Sequence, residues 1–384
     1  MTGRILNISL AFVGLIVGAG FASGAEVKQY FVAFGSWGML GAIIAAIIMG
    51  IVGFAILELG SYLQAAEHTV VFNRISSPLA AKILDAAVVI NLFCVGFVMF
   101  AGAGANLKQQ FGLPTWVGAT LMLVLILAAG LADVEKASRI IGGITPALIF
   151  FLVLTGIYIM IKADWDFATL DAHAATVETT LPNWLVSSIN YVGFSVIVVV
   201  SMAICMGGSM LDPKEAGRGG LAGGLLFGGL LFLSALTMYL SVATVGSEEL
   251  PMLAVINGMG SYLGVAMSIV IYGMIFNTAF GMFYPLGKRM SAKNPSRFRL
   301  YFFSITIVGY ILSAVGFKNL IGWVYPALGY AGLVLAVVIC WGWVRSRKDI
   351  NAEAAARKDA FSKSVDSRAK DHITLDTPVW EADK

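Results

Sequence analysis

The sequence predicts an all-helical membrane protein with ten transmembrane helices, and three observations predict it. Of its 384 residues 59% are hydrophobic and only 12% charged, about half the charged share of an ordinary soluble protein, which is roughly 25%. Apolar runs of about 20 residues, enough to cross about 30 Å of hydrocarbon, recur along the whole chain. The basic residues between those runs fall mostly on one side.

In chain order the spans read as 4–34, 38–64, 79–109, 115–132, 137–162, 183–210, 217–246, 255–287, 299–316 and 319–345. The first holds a dense glycine run. The second and third carry single acids, Glu58 and Asp85, near one end, where snorkelling or pairing with a base such as Lys82 is expected. The sixth has a polar interruption, "NYVGFS" at 190–195, and the eighth has Asn277 and Thr278 inside an apolar run. Several spans are long enough to tilt or to project beyond the bilayer. The first run leads into Glu26 and Lys28 rather than a small-residue cleavage site, so no cleavable signal peptide is read there.

Orientation follows from the positive-inside rule. With the N-terminus cytoplasmic, thirteen basic residues up to position 345 lie inside: Arg4, Arg74, Lys82, Lys136, Arg139, Lys214, Arg218, Lys288, Arg289, Lys293, Arg297, Arg299 and Arg345. Four, Lys28, Lys108, Lys162 and Lys318, lie outside. The longest outer loop, "KADWDFATLDAHAATVETTLPN", is also acidic. Both termini are therefore expected in the cytoplasm, on a multi-pass membrane protein. Residues 1–345 form the transmembrane domain, and 346–384, rich in both charges, read as a solvated, disordered tail in which "AEAAARKDAF" can form a short helix.

Several function classes fall away. The three cysteines sit singly within spans, and the three histidines are scattered with no H-E-x-x-H spacing. No phosphate-binding G-x-x-x-x-G-K-[ST] occurs, which counts against an ATP-driven pump, and no catalytic cluster suggests an intramembrane enzyme. A net charge of +3 argues for no nucleic-acid partner. The partners expected are a small-molecule solute and the lipid bilayer.

"GLIVGAGFASGAEVKQYF", residues 14–31, packs Gly14, Gly18, Gly20 and Gly24 into eleven residues. Glycine inside a helix costs about 1 kcal/mol relative to alanine. A dinucleotide loop would need a preceding strand and a soluble βαβ unit, for which there is no room. Two readings remain: small-xxx-small helix packing by Gly14, Gly18 and Ala22, or a helix broken in mid-membrane. Dividing the spans five and five pairs the sixth with the first in inverted topology, with repeats at about 1–162 and 183–345. Both first spans then carry a glycine and hydroxyl interruption, around 18–24 and 191–195. Helix breaks survive in lipid only where they line a protein or water cavity, so the two would share one cavity near the midplane.

A broken first span would offer amides of Ala22 to Glu26 to an anionic group, and carbonyls of Val17 to Gly20 to a cation. Glu26 itself has three readings: a counter-ion for a cationic group, a proton carrier, or a cap on the second half-helix. The substrate residues expected on this reading are Gly18, Ala19, Gly20, Phe21, Ala22, Ser23, Gly24 and Glu26, with Asn190, Tyr191 and Ser195 from the sixth span.

The glycine run resembles the first-span signature of the bacterial YkvI family of membrane proteins. That family is similar to the sodium-dependent neurotransmitter symporters and the amino acid–polyamine–organocation superfamily. The resemblance covers residues 1–345 and implies the LeuT-like five-plus-five fold, with the first and sixth helices discontinuous. It also implies that spans 1, 2, 6 and 7 rock against spans 3, 4, 8 and 9. A sodium site would use Gly14 and Val17 on the first span and Met274, Asn277 and Thr278 on the eighth, although Asn277 stands where the pattern has a hydroxyl residue. Phe194 would fall at an aromatic gate. The expected function is secondary active transport of a small amino-acid-like or other nitrogenous solute, with sodium as coupling ion and no other cofactor. Proton coupling, or a channel or ligand sensor on the same fold, is the alternative.

Overall fold

In the computed structural model residues 3–131 and 144–375 are described, with side chains to 357 and at 359. All regular elements among them are helical. The first span comprises α1 (Gly3–Ile16), α2 (Ala19–Ser23) and α3 (Ala25–Tyr30). There follow α4 (Gly35–Tyr62), α5 (His68–Ile75), α6 (Pro78–Phe111), α7 (Thr115–Leu131), α8 (Ile144–Lys162) and α9 (Phe167–Ala174). The second half holds α10 (Trp184–Gly208), α11 (Pro213–Leu240), α12 (Val242–Val245), α13 (Pro251–Met259), α14 (Ser261–Met290), α15 (Phe298–Leu312) and α16 (Phe317–Leu375). Eight helical stretches are long and apolar enough to cross a membrane, and Gly3–Ile16 and Thr115–Leu131 are shorter apolar helices. Lys136, Arg139 and the start of the fifth span lie outside the described residues, as do 376–384.

Helix ends are set by local chemistry. Ser77 caps α6 by accepting from the Ala80 amide at 3.3 Å, with Pro78 in the first turn, and Gly112 closes it in the left-handed region (φ 70°). Asp212 accepts from the amides of Lys214 and Glu215 at the start of α11, and Asn183 from Val186 at the start of α10. The start of α4 is capped from a distance. Asp171 of α9 accepts the Ser36 amide at 2.8 Å, the Ser36 hydroxyl at 2.9 Å and the Tyr239 hydroxyl at 2.6 Å.

The spans pack in two groups. α1, α4, α10 and α11 lie against one another, while α6, α7, α14 and α15 form the second set. A close seam joins α4 to α11, where Gly50 and Gly53 face Gly220 and Gly224; a Cβ on Gly53, Gly220 or Gly224 would strike the opposite backbone, and one on Gly50 would press on the Leu221 and Leu225 side chains at 3.2–3.4 Å.

Four expectations need correction. The sixth span is not broken: α10 runs unbroken from Trp184 to Gly208 through 191–195. Its Gly193 serves packing, because a Cβ there would collide with the Gly329 carbonyl and Leu333 of α16. The seventh span ends at Leu240, short of 246, with the separate α12 after it, and the eighth begins at Ser261 rather than 255. In the eighth case Gly260 divides α13 from α14. The tail is not a free extension over its first turns. Helix α16 continues through 346–375 with Ile350 and Ala354 buried, and Arg357 binds the carbonyls of Ser61, Tyr62 and Leu211. The reason is that "INAEAAARKD" keeps a small apolar stripe at helical spacing beneath its charges.

Candidate functional site

The first span is broken where its glycines concentrate. The α1 ladder ends with the Val17 amide on the Val13 carbonyl. Gly18 is extended (φ −100°, ψ −178°), and α2 begins with the Ala22 amide on the Gly18 carbonyl. The Ala19 amide, left without a helical acceptor, donates to the Thr278 hydroxyl of α14 at 3.3 Å. A second turn of direction comes at Gly24, in the left-handed region at φ 81°, where glycine carries no Cβ penalty. Ser23 ties this corner down, donating to the Gly20 carbonyl at 2.9 Å and accepting from the Ala25 amide.

At the break lies an internal cavity of ≈ 20 Å³, room for about one water molecule. Ile16, Gly18, Ala19, Gly20 and Glu26 line it from the first span, Phe194, Ser195 and Val198 from α10, Val95 and Met99 from α6, Thr278 from α14 and Tyr325 from α16. Glu26 is the only charged residue among them. It is 7% exposed, its carboxyl group packs over Gly20, and it has no ion-pair partner among the described residues. A buried, unpaired ionised carboxylate costs several kcal/mol. The Tyr325 ring stacks on Phe194 with centroids 4.2 Å apart, and its fully buried hydroxyl has no hydrogen-bond partner.

Beside α3 a wider vestibule of ≈ 580 Å³ opens, lined by Ala25, Lys28, Gln29, Thr180 and Gly322 among others. Lys28 does not pair with Glu26; its ammonium donates to the carbonyls of Gly246 and Glu248. The layer between vestibule and cavity is fastened through a proline. Pro326 inside α16 has no amide to offer the Gly322 carbonyl, which instead accepts from Thr180 Oγ1 at 2.6 Å and Gln29 Nε2 at 3.3 Å.

The structure thus brings Gly18, Ala19, Gly20, Glu26, Phe194, Ser195 and Thr278 together. Phe21 packs on Phe227 instead, and Tyr191 on Tyr30, Phe31 and Phe227. Ala22, Ser23 and Gly24 build the corner, and Asn190 accepts from the Tyr30 hydroxyl and donates to the Pro326 carbonyl. The amides expected to receive an anion, 22–26, are divided between the end of α2 and the start of α3, and those of Ala22, Gly24 and Ala25 already donate to the Gly18 carbonyl, the Phe21 carbonyl and the Ser23 hydroxyl.

Of the residues expected to hold sodium, Gly14, Val17 and Met274 would do so through their carbonyls and Asn277 and Thr278 through their side chains. Gly14 and Asn277 face a groove against Thr145, Pro146 and Ile149 at the start of α8. Thr278 faces the cavity, while Val17 and Met274 are buried in packing. Successive residues on a helix point about 100° apart, so Asn277 and Thr278 are aimed at different neighbours. At the other end, Asp85 pairs with Arg289 and with His68 (3.0 Å), not with Lys82, and His68 also meets the Ser201 hydroxyl at 2.8 Å. Glu58 accepts from the Trp343 indole. Sequence reasoning missed Tyr325, whose signal was a polar-tipped aromatic beside a proline within the tenth apolar run, and also the apolar wall of Val95, Met99 and Val198.

A membrane protein of the LeuT-like fold is what this arrangement defines. The resemblance read in the first span is met by two relatives. The uncharacterized membrane protein YkvI of Bacillus subtilis is 25% identical over 342 residues, 88% of this chain and 96% of its own. The protein YyaD of the same organism is 27% identical over 331 residues, 86% of this chain and 94% of its own. Among solved structures, MhsT in complex with L-phenylalanine matches with TM-score 0.60 at 15% identity, covering 91% of each chain. The inward-facing conformation of Mhp1 matches with TM-score 0.55 at 12% identity, over 88% of this chain and 75% of that one. A mutant of the Eremococcus coleocola manganese transporter matches with TM-score 0.51 at 13% identity, over 97% and 87%. No protein-family profile matches the chain.

Proposed function

We propose that the chain is a secondary active transporter, not an enzyme, and that it moves a small amino-acid-like or other nitrogenous solute by alternating access. The observation that carries this reading is the broken first span, whose glycines and single acid border a closed cavity between the two helix groups. The ten apolar helices then pair as a five-plus-five inverted repeat in a bacterial inner membrane with both termini cytoplasmic. The α1, α4, α10 and α11 group rocks against the α6, α7, α14 and α15 group. The likeness to MhsT, Mhp1 and a manganese transporter supports the class. In this state the cavity is sealed on the outer side by the Gln29, Gly322 and Thr180 contact, so opening the vestibule to it requires that contact to part.

Cation coupling fits the site, and its seat is Glu26 rather than the five-residue sodium set, because Glu26 is the one charge at the break. A channel or sensor on the same fold is separated from a transporter by accumulation. A thermal-shift screen of the purified chain against amino acids, amines, sodium and lithium finds the ligand, since binding stabilises the state that binds. Uptake of that ligand into proteoliposomes above its outside concentration supports transport; equilibration without accumulation overturns it.

A further inference from the structure

We infer that the cavity at the first-span break is an exchange site, in which the Glu26 carboxylate holds either a proton or the ammonium group of a cationic amine, and that the protein is therefore a proton–amine exchanger. The inference rests on the transporter reading above and names its substrate class and its stoichiometric logic.

Glu26 is the only charged residue lining the cavity, it is buried, and no cation meets it among the described residues. Lys28, two residues on, is turned away to the Gly246 and Glu248 carbonyls. The titratable groups facing Glu26 from the packed elements are the hydroxyls of Tyr30, Tyr191 and Tyr325, none of which carries a positive charge. The closed cavity of ≈ 20 Å³ is too small for an organic solute. This closed form leaves no room for an organic cation beside Glu26, and a proton on the buried carboxyl group removes the cost of its charge.

When the site opens, a cationic amine meets a carboxylate beside the stacked faces of Phe194 and Tyr325 and the partnerless Tyr325 hydroxyl. These are the groups an ammonium needs: a counter-charge, an aromatic wall and an acceptor for an N–H. The exchange balances. The Glu26 O–H bond breaks, its proton passes to water in the open mouth, and the ammonium takes its place as an ion pair with no change in its own protons. Because one carboxylate cannot hold both, the two cations travel in opposite directions. A carboxylate-bearing solute without an amine is repelled.

The test uses the purified full chain in detergent with methylammonium and acetate, similar in size and opposite in charge. Methylammonium is expected to raise the melting temperature and to release about one proton per molecule bound in weakly buffered solution. Its apparent affinity should weaken about tenfold for each pH unit below the carboxyl titration, as the competent, ionised fraction falls. Glu26→Gln should abolish both responses, Glu26→Asp should keep proton release, and Tyr325→Phe should weaken binding several-fold while keeping it. Stabilisation by acetate, pH-independent methylammonium binding, or no methylammonium response in the folded protein overturns the inference. The transporter reading fails separately. Binding with proton release but no counterflow in vesicles beyond that of protein-free controls removes transport, whereas counterflow with pH-independent binding removes exchange alone.

Discussion

The Glu26 carboxyl group lies directly over the α-carbon of Gly20, so closely that a Cβ added to Gly20 would overlap it. The glycine and the acid are thus one feature, six residues apart in sequence and joined by the corner at Gly24. The obstruction is the far end of a flexible side chain, so Gly20→Ala should fold and insert while driving the carboxyl group from the cavity. Solute uptake is expected to fall at least about tenfold, equivalent to about 1.4 kcal/mol, with an unchanged gel-filtration profile. Gly20→Leu should abolish uptake. Wild-type uptake in Gly20→Ala would mean that the carboxyl position does not matter.

Gly18 and Gly24 should respond in opposite ways. At Gly18 the backbone is extended and a Cβ would make only ordinary contact with the Thr278 hydroxyl at 3.8 Å, so Gly18→Ala should leave thermal stability within about 1 °C. At Gly24 the backbone is left-handed, and a Cβ would strike the Met238 side chain and approach the Met252 amide at 3.1 Å. Strain of this kind costs about 1–3 kcal/mol, and Gly24→Ala should lower the melting temperature by several degrees. Equal melting temperatures for the two variants would contradict the geometry.

The part of this site that could be read in advance was the part written in local chemistry. Gly18, Gly20 and Gly24 have no good reason to sit in one apolar helix, and the break stands there. "NYVGFS" gives the same local signal, yet α10 is continuous. Whether a glycine breaks a helix or seats another helix depends on what lies opposite, and Gly193 meets the Gly329 carbonyl, 136 residues away. Thr278 and Asn277 show the same limit. Adjacent in sequence, they face a cavity and a groove that only the positions of α1 and α8 distinguish. Tyr325 beside Pro326 is a local oddity, but its entry into the cavity follows from the packing of α16 along α10, which is tertiary.

Asp171 makes the start of α4 sensitive to acid. Burial, the largest influence, pushes its carboxyl up, but hydrogen bonds from Tyr239 and Ser36 outweigh it and hold the group below the usual carboxylate range. A carboxyl depressed on folding adds stability above its unfolded value, about 3.9, and that contribution is lost as pH falls through the folded value. At pH 7, Asp171→Asn should lower the melting temperature by a few degrees, in line with the roughly 0.5–2 kcal/mol of a lost cap. The gap between variant and wild type should narrow below about pH 4. A gap constant from pH 7 to pH 3 would show that the charge of Asp171 contributes nothing.

Arg357 holds the extended α16 against the ends of two other helices. Its guanidinium donates to the Ser61 carbonyl at 3.0 Å, the Tyr62 carbonyl at 3.0 Å and the Leu211 carbonyl at 3.2 Å, while Glu353 accepts from Nε at 2.8 Å. The carbonyls of Ser61 and Tyr62 belong to the last turn of α4, where a positive charge is favoured, and Ser61 also accepts from the Gln64 amide at 3.1 Å. Ile350 and Ala354, buried on the same face, add apolar contact but too little to hold a helix this polar by themselves. Arg357→Ala should therefore release the segment after Arg347. Hydrogen exchange of the amides at 349–357 is expected to rise at least tenfold, with trypsin cutting sooner at Lys348, while the transmembrane core melts as before. Glu353→Ala, which removes only the i,i+4 pair, should have a smaller effect because such pairs are worth about 0.3–0.5 kcal/mol. Unchanged exchange at 349–357 in Arg357→Ala would place the hold on Ile350 and Ala354 instead.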